Sequence, residues 1–352
     1  MKVLAKRVLS IFLLWVMTIN LTACSGTKES RYEASFLELF DTVTTIVGYA
    51  ENKDEFTKYV QIIYNQLSEY HQLYNIYNDY EGINNIKTIN DNAGISPVKV
   101  NQKIIDLLKF SKKAYEETNG KTNIALGSVL SVWHDYRTRG IEDPENAQLP
   151  PMDLLEEKFK HTDINNIIIN EEESTVYIQD SLMSIDVGAI AKGYAVEAVS
   201  QYIEEQGFTH AVISVGGNVR ALGTKIIDGK EQAWSAGIQN PDSESENTNL
   251  YILNLKDYSL VTSGVYQRYY TVDGKEYHHI INPSTLMPAD YFLSVSIVCK
   301  ESGNADALST AVFNMPYEDG VTLIESLEET EALWVFKDGS MKYSSGFDKF
   351  IK

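Results

Sequence analysis

Short β-branched segments and amphipathic helical segments follow one another in this chain without a regular alternation, and this order restricts the possible folds most. Residues 42–47 read Thr-Val-Thr-Thr-Ile-Val, which predicts a strand within residues 36–49. From Asp54, a candidate cap, apolar residues recur every three or four positions, which predicts a long amphipathic helix. A second helix is predicted from Asn101, another candidate cap, to a stop near Gly120.

The remaining elements are predicted from composition and spacing. Strands are expected at residues 167–169, 176–178, 211–215, 251–255, 259–262, 268–272, 277–281 and 293–299, and helices at 189–206 and 304–314. Residues 134–163 are polar and carry three prolines, which predicts an irregular excursion. Since neither an internal repeat nor a regular βαβ succession is found, we expect one α+β (mixed α/β) domain over residues 31–350, not a Rossmann fold.

The charge of the chain excludes some classes of partner. The 352 residues carry a formal net charge of −19, and three basic but no acidic residues lie in the first 23 positions. The remainder is therefore three units more negative, at −22. Such a protein repels nucleic acid and anionic lipid headgroups, so neither is expected as a partner.

The first 23 residues have the pattern of a signal peptide, with a basic start and an apolar run too short to span a bilayer. Leu21-Thr22-Ala23-Cys24 resembles the lipobox of bacterial lipoproteins, which implies that Cys24 is lipidated and tethers the protein to the outer face of the cell membrane. Residues 24–30 would form the flexible tether. The alternative is a secretory peptide with an incidental cysteine. Cys299, the other cysteine, is expected to be a buried apolar residue.

The segment from Ser184 to Ala195 reads Ser-Ile-Asp-Val-Gly-Ala-Ile-Ala-Lys-Gly-Tyr-Ala, an apolar strand end followed by small residues and a helix. Small residues allow a ligand to approach the backbone, and the amides at a helix start attract anions. Lys192 would add a positive charge for a phosphate. The alternative is a purely structural turn between a strand and a helix.

A second glycine turn, Ser214-Val215-Gly216-Gly217-Asn218-Val219-Arg220, follows a predicted strand. It lacks the G-x-G-x-x-G spacing of dinucleotide-binding folds. The pattern therefore indicates a tight turn.

The third segment contains residues 262–270, a hairpin turn signal at 272–275, and Tyr277-His278-His279-Ile280-Ile281-Asn282-Pro283. Neighbouring residues on a strand point to opposite faces, so at most one of the two histidines can face a given pocket. A neutral imidazole there could accept a proton from an attacking hydroxyl, although a structural histidine is equally compatible with the pattern.

The fourth segment is Asn304-Ala305-Asp306-Ala307-Leu308-Ser309-Thr310-Ala311. On a helix, Asp306 and Thr310 share a face, so their oxygens converge. Two hard oxygens that leave room for water and phosphate suit Mg²⁺. The alternative is that Asp306 only stabilises the helix dipole.

Together, in this order and spacing, the four segments resemble the signature of the ApbE family of FAD:protein FMN transferases. The resemblance extends from Leu39-Phe40-Asp41-Thr42 to Asp306-Ala307-Leu308-Ser309-Thr310. It implies a single domain with FAD in a central cleft, and the transfer of FMN from FAD to a threonine hydroxyl of an acceptor flavoprotein, with release of AMP.

The resemblance also implies roles for individual residues. Mg²⁺, or Mn²⁺ in its place, would be held by Asp306, Thr310 and the carbonyl of Ala189. The FAD contacts would include Asp186, Lys192, Ser263, Arg268 and, as the aromatic ring over the isoalloxazine, Tyr77. His279 would activate the acceptor hydroxyl.

The chain departs from the family pattern at residues 120–123, Gly-Lys-Thr-Asn, where many relatives have Gly-x-Phe-Asp. This affects the expected contacts with the flavin. Two other functions stay open at this point: a Mg²⁺-dependent FAD pyrophosphatase, in which water is the nucleophile, and a non-catalytic flavin-binding lipoprotein.

Overall fold

An antiparallel sheet of eight strands is the central layer of the structure, a computed structural model that describes residues 29–242, 244–266 and 268–352. The helices are α1 (Lys53–Leu73), α2 (Ile86–Asp91), α3 (Gln102–Glu117), α4 (Gly127–Glu142), α5 (Met152–Phe159), α6 (Ala191–Glu205), α7 (Ser302–Phe313) and α8 (Tyr317–Glu325). The strands are β1 (Ser30–Phe36), β2 (Thr44–Ala50), β3 (Val98–Lys99), β4 (Ile167–Asn170), β5 (Thr175–Ile178), β6 (Ala211–Val215), β7 (Asn218–Leu222), β8 (Lys225–Ile227), β9 (Lys230–Gln232), β10 (Trp234–Gln239), β11 (Asn249–Leu255), β12 (Ser259–Gly264), β13 (Tyr269–Val272), β14 (Lys275–His278), β15 (Phe292–Cys299), β16 (Glu331–Phe336) and β17 (Met341–Tyr343).

The strand order of the large sheet is β1-β2-β6-β7-β12-β15-β16-β17. Each neighbouring pair is antiparallel, including β6 with β7 and β12 with β15. A Rossmann fold requires parallel strands joined by helical crossovers, so this topology confirms the expected α+β class and the exclusion of a Rossmann fold.

Apolar side chains cover both faces of the sheet, as the period of two along each strand requires. On β6, Ile213 packs in a core shared with α1 and α6, whereas its neighbour Val212 packs on the opposite side, against the layer that contains β10 and β11. α7 and α8 cover β15 and β16 in a further cluster. The helices α6 and α7 thus lie on one face of the sheet, where they can present side chains to a common space.

Local sequence signals predicted many of these elements. Asn101 caps α3 and accepts a hydrogen bond from the Lys103 N–H at 2.9 Å, as expected. The expected cap Asp54 is wrong by two residues, because α1 begins at Lys53 and Asn52 accepts the bond from the Glu55 N–H at 3.0 Å. The strand predicted for residues 277–281 ends at His278, so His279 lies just beyond it.

The irregular excursion predicted for residues 134–163 is wrong for residues 134–142 and 152–159. Helix α4 continues to Glu142, and α5 spans Met152–Phe159. The buried side chains Val129, Val132 and Trp133 pack α4 against Tyr270 and Val272 of the β13–β14 hairpin. This apolar face stabilises the helix, while the prolines lie only after its end.

The signal peptide, Cys24 and most of the tether lie outside the described residues. Among the helices that are described, none is long and apolar enough to cross a membrane. Cys299 is a buried free thiol, as expected.

Candidate active site

One cleft of about 330 Å³ opens between the start of α6, the side of α7, the β6–β7 hairpin, the end of β12 and helix α4. This cleft is lined by every residue that the sequence predicts to bind FAD, to bind the metal or to act as the base: Tyr77, Asp186, Ala189, Lys192, Ser263, Arg268, His279, Asp306 and Thr310. Their individual roles stay predictions, but their convergence on one cleft is a property of the fold.

The carboxylate of Asp306 is almost fully buried, with 5% of the residue exposed, and is held by donors from two other elements. Its Oδ2 accepts hydrogen bonds from the Gly193 N–H at 2.8 Å and from Asn218 Nδ2 at 2.9 Å. The Lys192 ammonium lies 3.9 Å from the same oxygen. Burial raises the pKa of Asp306, while Lys192 and the two donors oppose this shift.

The contact between α6 and α7 depends on Gly193. A Cβ at this position would lie 2.3 Å from the Ser302 carbonyl oxygen and 2.4 Å from Asp306 Cβ. Gly193 is the third residue of α6, so its N–H has no partner within the helix and donates to Asp306, and no hydrogen bond to the Ala189 carbonyl forms among the described residues. The Ala189 carbonyl oxygen is therefore left available for a ligand in the cleft.

The oxygen groups of Asp306, Thr310 and Ala189 are of the kind that a hard divalent cation binds. Thr310 lies one turn after Asp306 on α7, and its hydroxyl has no hydrogen bond to another described residue. The part of the chain that the structure describes has no cluster of three His, Cys, Asp or Glu side chains that could hold a metal alone. One carboxylate, one hydroxyl and one carbonyl leave positions for phosphate oxygens, which is how proteins usually hold Mg²⁺.

His279 also lines the cleft, and it is neutral at pH 7. Its Nδ1 is 3.2 Å from the Arg268 carbonyl oxygen. Since a carbonyl only accepts hydrogen bonds, Nδ1 carries the proton, and Nε2 keeps a lone pair. Burial lowers the pKa of His279 to about 3; the hydrogen bond to the Arg268 carbonyl opposes this shift, whereas the charges of Arg268 and Arg137 add to it.

The neighbouring His278 does not line the cleft. It is buried, and its Nε2 lies 2.8 Å from the Ala289 carbonyl oxygen. Of the two histidines, His279 alone lines the cleft, as the sequence predicted.

Asp186 lies at the turn before α6, where its Oδ1 accepts a hydrogen bond from the Gly188 N–H at 2.8 Å. Burial raises the pKa of Asp186, and the charges of His134, Arg137 and Arg268 partly offset this. The carboxylate is thus surrounded by groups that donate hydrogen bonds or carry positive charge.

Tyr77 is the exposed aromatic residue of its segment. It is 56% exposed, whereas Tyr74 is 4% exposed and donates to the Lys103 carbonyl. The Tyr77 ring lies 5.4 Å from the His134 ring at an angle of 33°. Such an aromatic pair at the edge of a cleft can pack against a planar ligand.

Sequence reasoning gave no role to several polar residues of the cleft, among them Asn218, His134 and Arg137. The last two were missed because residues 134–163 were interpreted as irregular. They lie on α4, and Arg137 Nη2 is 3.0 Å from His134 Nδ1. The apolar spacing of residues 129, 132 and 133 is the signal that could have found the helix and hence its cleft-facing side.

The Gly216-Gly217 turn is the tight turn predicted, with φ values of +56° and +89° that favour glycine. A Cβ at Gly216 would lie 2.7 Å from Thr42 Oγ1. The turn brings Asn218 to Asp306. At the end of β12, the Ser263 hydroxyl lies 2.9 Å from the Ser309 hydroxyl of α7.

The residues that depart from the family pattern also reach the cleft. Lys121 Nζ donates to the Ser284 hydroxyl at 2.8 Å, and the side chain of Asn123 accepts from the Ala125 N–H at 2.8 Å. Both residues contribute to the lining. Asn123 therefore has a structural role in this chain, while Lys121 adds a cation to the rim.

Comparison with known proteins gives a consistent result. The model of the ApbE family matches residues 40–334. The chain is 33% identical over 272 residues to a FAD:protein FMN transferase of Treponema pallidum, covering 74% of this chain and 73% of that protein. It is 30% identical over 279 residues to a FAD:protein FMN transferase of Klebsiella pneumoniae, covering 78% and 83%.

Solved structures give the same match. The ApbE protein of Thermotoga maritima has a TM-score of 0.79 and 29% identity, covering 92% of this chain and 100% of that one. The flavin transferase ApbE of Vibrio cholerae has a TM-score of 0.74 and 22% identity, covering 92% and 99%, and shows a likeness of fold.

Proposed function

This chain belongs to the ApbE family and is a transferase, and we propose that it moves FMN from FAD to a threonine hydroxyl of another protein, uses Mg²⁺ and releases AMP. The observation that carries the proposal is that Lys192, Asp306 and the neutral His279 line the same cleft. Lys192 is suited to bind a diphosphate, and His279 provides a base.

Lys192 offsets the repulsion between the acidic chain and the FAD diphosphate. FAD has a doubly charged diphosphate, and a protein with a net charge of −19 repels it unless a local cation is present. Lys192 follows the small residues at the start of α6, where helix amides attract anions. When bound, a divalent ion held by Ala189, Asp306 and Thr310 supplies the charge that stabilises the diphosphate oxygens.

His279 is proposed as the general base that makes the acceptor hydroxyl a stronger nucleophile. Its Nε2 is available to accept the proton of the acceptor hydroxyl, because Nδ1 is bound to the Arg268 carbonyl. The hydroxyl oxygen then forms a bond to the phosphorus on the FMN side, the bond from that phosphorus to the bridging oxygen breaks, and AMP leaves. Tyr77, at the edge of the cleft, is proposed to pack against the isoalloxazine ring, with Asp186, Ser263 and Arg268 as further FAD contacts.

The proposed acceptor type rests on the family resemblance, and the proposed location rests on the lipobox-like segment. We propose that lipidation at Cys24 tethers the enzyme to the outer face of the cell membrane through residues 24–30. An acceptor there would be a membrane electron-transfer subunit or an extracellular flavoprotein.

The test is an assay of the full chain with FAD, Mg²⁺ and an acceptor peptide of the Asp-x-x-Ser/Gly-Ala-Thr type. Mass spectrometry of the peptide and chromatography of AMP are the two readouts. We expect covalent FMN on the threonine and an equal amount of AMP. The same peptide with Val in place of Thr is the matched control.

Two outcomes contradict the proposal. Equal AMP release with and without the peptide, and no labelling, would identify a FAD pyrophosphatase. Binding of FAD with neither product would leave no catalytic function.

A further inference from the structure

Asn218 joins the β6–β7 hairpin to the carboxylate of Asp306. It is 3% exposed, and its Nδ2 lies 2.9 Å from Asp306 Oδ2. The Gly193 N–H donates to the same oxygen at 2.8 Å. Two donors from different elements therefore converge on Oδ2, whereas Oδ1 accepts no hydrogen bond from the described residues.

A second buried contact ties the same strand to the start of α7. Residues 218 and 220 are two apart on β7 and therefore lie on one face. Arg220 Nε is 3.3 Å from Glu197 Oε2, and this carboxylate also accepts the Ser302 N–H at 2.7 Å. Both charged residues are 8% exposed. The strand thus holds α7 at Ser302, through Glu197, and one turn later at Asp306, through Asn218.

The backbone around Asn218 leaves little freedom for this contact. The residue follows two glycines in the left-handed region and pairs with Val215 across the hairpin. Gly216 has no room for a side chain because Thr42 lies against it. The amide group is therefore fixed in position before any ligand arrives, which is how groups beyond the ligand shell orient a metal-binding carboxylate.

We propose that Asn218 is a positioning residue for the metal site: by holding Oδ2 of Asp306 together with Gly193, it keeps Oδ1 directed at the divalent ion. This inference rests on the proposed use of Mg²⁺. It assigns Asn218 no contact with the reacting atoms, because it acts through Asp306. A carboxylate without this restraint must give up orientational freedom when it binds the ion. This entropy cost lowers the metal affinity.

The experiment measures Mg²⁺ binding without turnover. The full chain is titrated with Mg²⁺ in the presence of ADP, a diphosphate that cannot donate FMN, by isothermal titration calorimetry. We expect Asn218→Ala to weaken Mg²⁺ binding about 10- to 100-fold. Asn218→Leu, which fills the same space without a donor, should do the same. In the transfer assay, kcat of both variants should largely recover at saturating Mg²⁺.

Thr44→Val is the matched control. Thr44 is fully buried in the same sheet, near the hairpin, and its hydroxyl has no partner among the described residues. Its removal should leave Mg²⁺ affinity unchanged.

The outcomes separate this inference from the proposed function. A wild-type protein that binds no Mg²⁺ would refute the metal dependence itself. Wild-type affinity in Asn218→Ala or Asn218→Leu, with a lower Tm alone, would refute the positioning role and leave the proposed function intact. A loss of kcat that excess Mg²⁺ does not restore would also refute it.

Discussion

His278 and His279 are neighbours in the sequence, yet the fold gives them different chemistry. His278 is enclosed by its contact with the Ala289 carbonyl, whereas His279 reaches the cleft just after β14 ends. Alternation along the hairpin separates them, because the His279 N–H still donates to the Arg268 carbonyl across the hairpin at 3.1 Å and neighbouring side chains point to opposite faces. The chemical role of His279 therefore depends on the register of this hairpin.

Replacement of His279 tests its role as a base. We expect His279→Ala to lower kcat of FMN transfer about 10²- to 10⁴-fold, the usual contribution of a general base, with little change in the KM for FAD. Steady-state kinetics with a saturating acceptor peptide measure both. His161→Asn is the matched control, since His161 lies outside the cleft and pairs with Asp180. A wild-type kcat in His279→Ala would contradict the assignment.

The low pKa of His279 also predicts a dependence of stability on pH. The pKa of this group is about 3 in the folded protein and 6.5 ordinarily. Between these values the unfolded chain binds a proton that the folded protein does not, so the free energy of unfolding decreases as the pH falls through this window.

We expect the Tm to fall more steeply between about pH 7 and about pH 4 in the wild type than in His279→Gln, which has no such titration. Differential scanning calorimetry measures this slope. Parallel Tm profiles for the two proteins would show that His279 is not held neutral by the fold.

At the scale of elements, the contact between α6 and α7 is the feature on which the site depends. Gly193 allows the two helices to meet closely enough for a backbone N–H to reach Asp306. The β6–β7 hairpin and the end of β12 then add Asn218 and Ser263 around the same helix. A change in the distances between these elements would separate Asp306 from Gly193 and Asn218 even if all three residues were kept.

A pair of glycine substitutions tests this contact. Gly193→Ala places a Cβ 2.3 Å from the Ser302 carbonyl oxygen, so we expect a loss of about 1–3 kcal/mol in the free energy of unfolding, together with weaker Mg²⁺ binding.

Gly303→Ala is the matched control on the facing helix. Its Cβ would meet Phe110 and Tyr194 at 3.4 Å, an ordinary contact, and alanine favours the helix, so stability should be kept or increased. Urea unfolding followed by circular dichroism measures both variants. Equal effects of the two substitutions would contradict the steric argument.

The sequence predicted local elements better than the site's environment. Repeats of apolar residues and the cap at Asn101 depend on neighbours along the chain, so they could be recognised. The spacing of Asp306 and Thr310 was a local property as well. The order of strands in the sheet could not be deduced in this way, because it depends on contacts between distant segments. Asn218 was missed as a partner of Asp306 for the same reason, since 88 residues separate them.

For the whole molecule, the main property is a strongly acidic chain around a cleft that contains cations. The net charge of the chain is −19, whereas four cationic side chains and three carboxylates line the cleft: Lys121, Arg137, Lys192 and Arg268 against Asp41, Asp186 and Asp306. Long-range repulsion and short-range attraction therefore act on the same anionic ligand. Salt screens the first more than the second, because ions weaken interactions most beyond about 10 Å at 0.1 M.

This balance predicts an unusual dependence on salt. We expect the association rate of FAD, measured by stopped-flow flavin fluorescence at fixed Mg²⁺, to increase when NaCl is raised from low to physiological concentration. Riboflavin has no phosphate, so its association rate should not change and serves as the control. A decrease for FAD would show that the cations of the cleft dominate at long range.

The start of α6 determines which substitutions the site tolerates and what would have to be copied to build the site into another protein. The proposed ligand oxygen at position 189 belongs to the main chain, so exchanges among small residues there would leave it in place. Position 193 has no comparable tolerance, because the neighbouring helix occupies the space where any side chain would begin. Grafting the centre into another scaffold would therefore require copying the start of a helix and its crossing partner, and moving the polar side chains alone would not reproduce it.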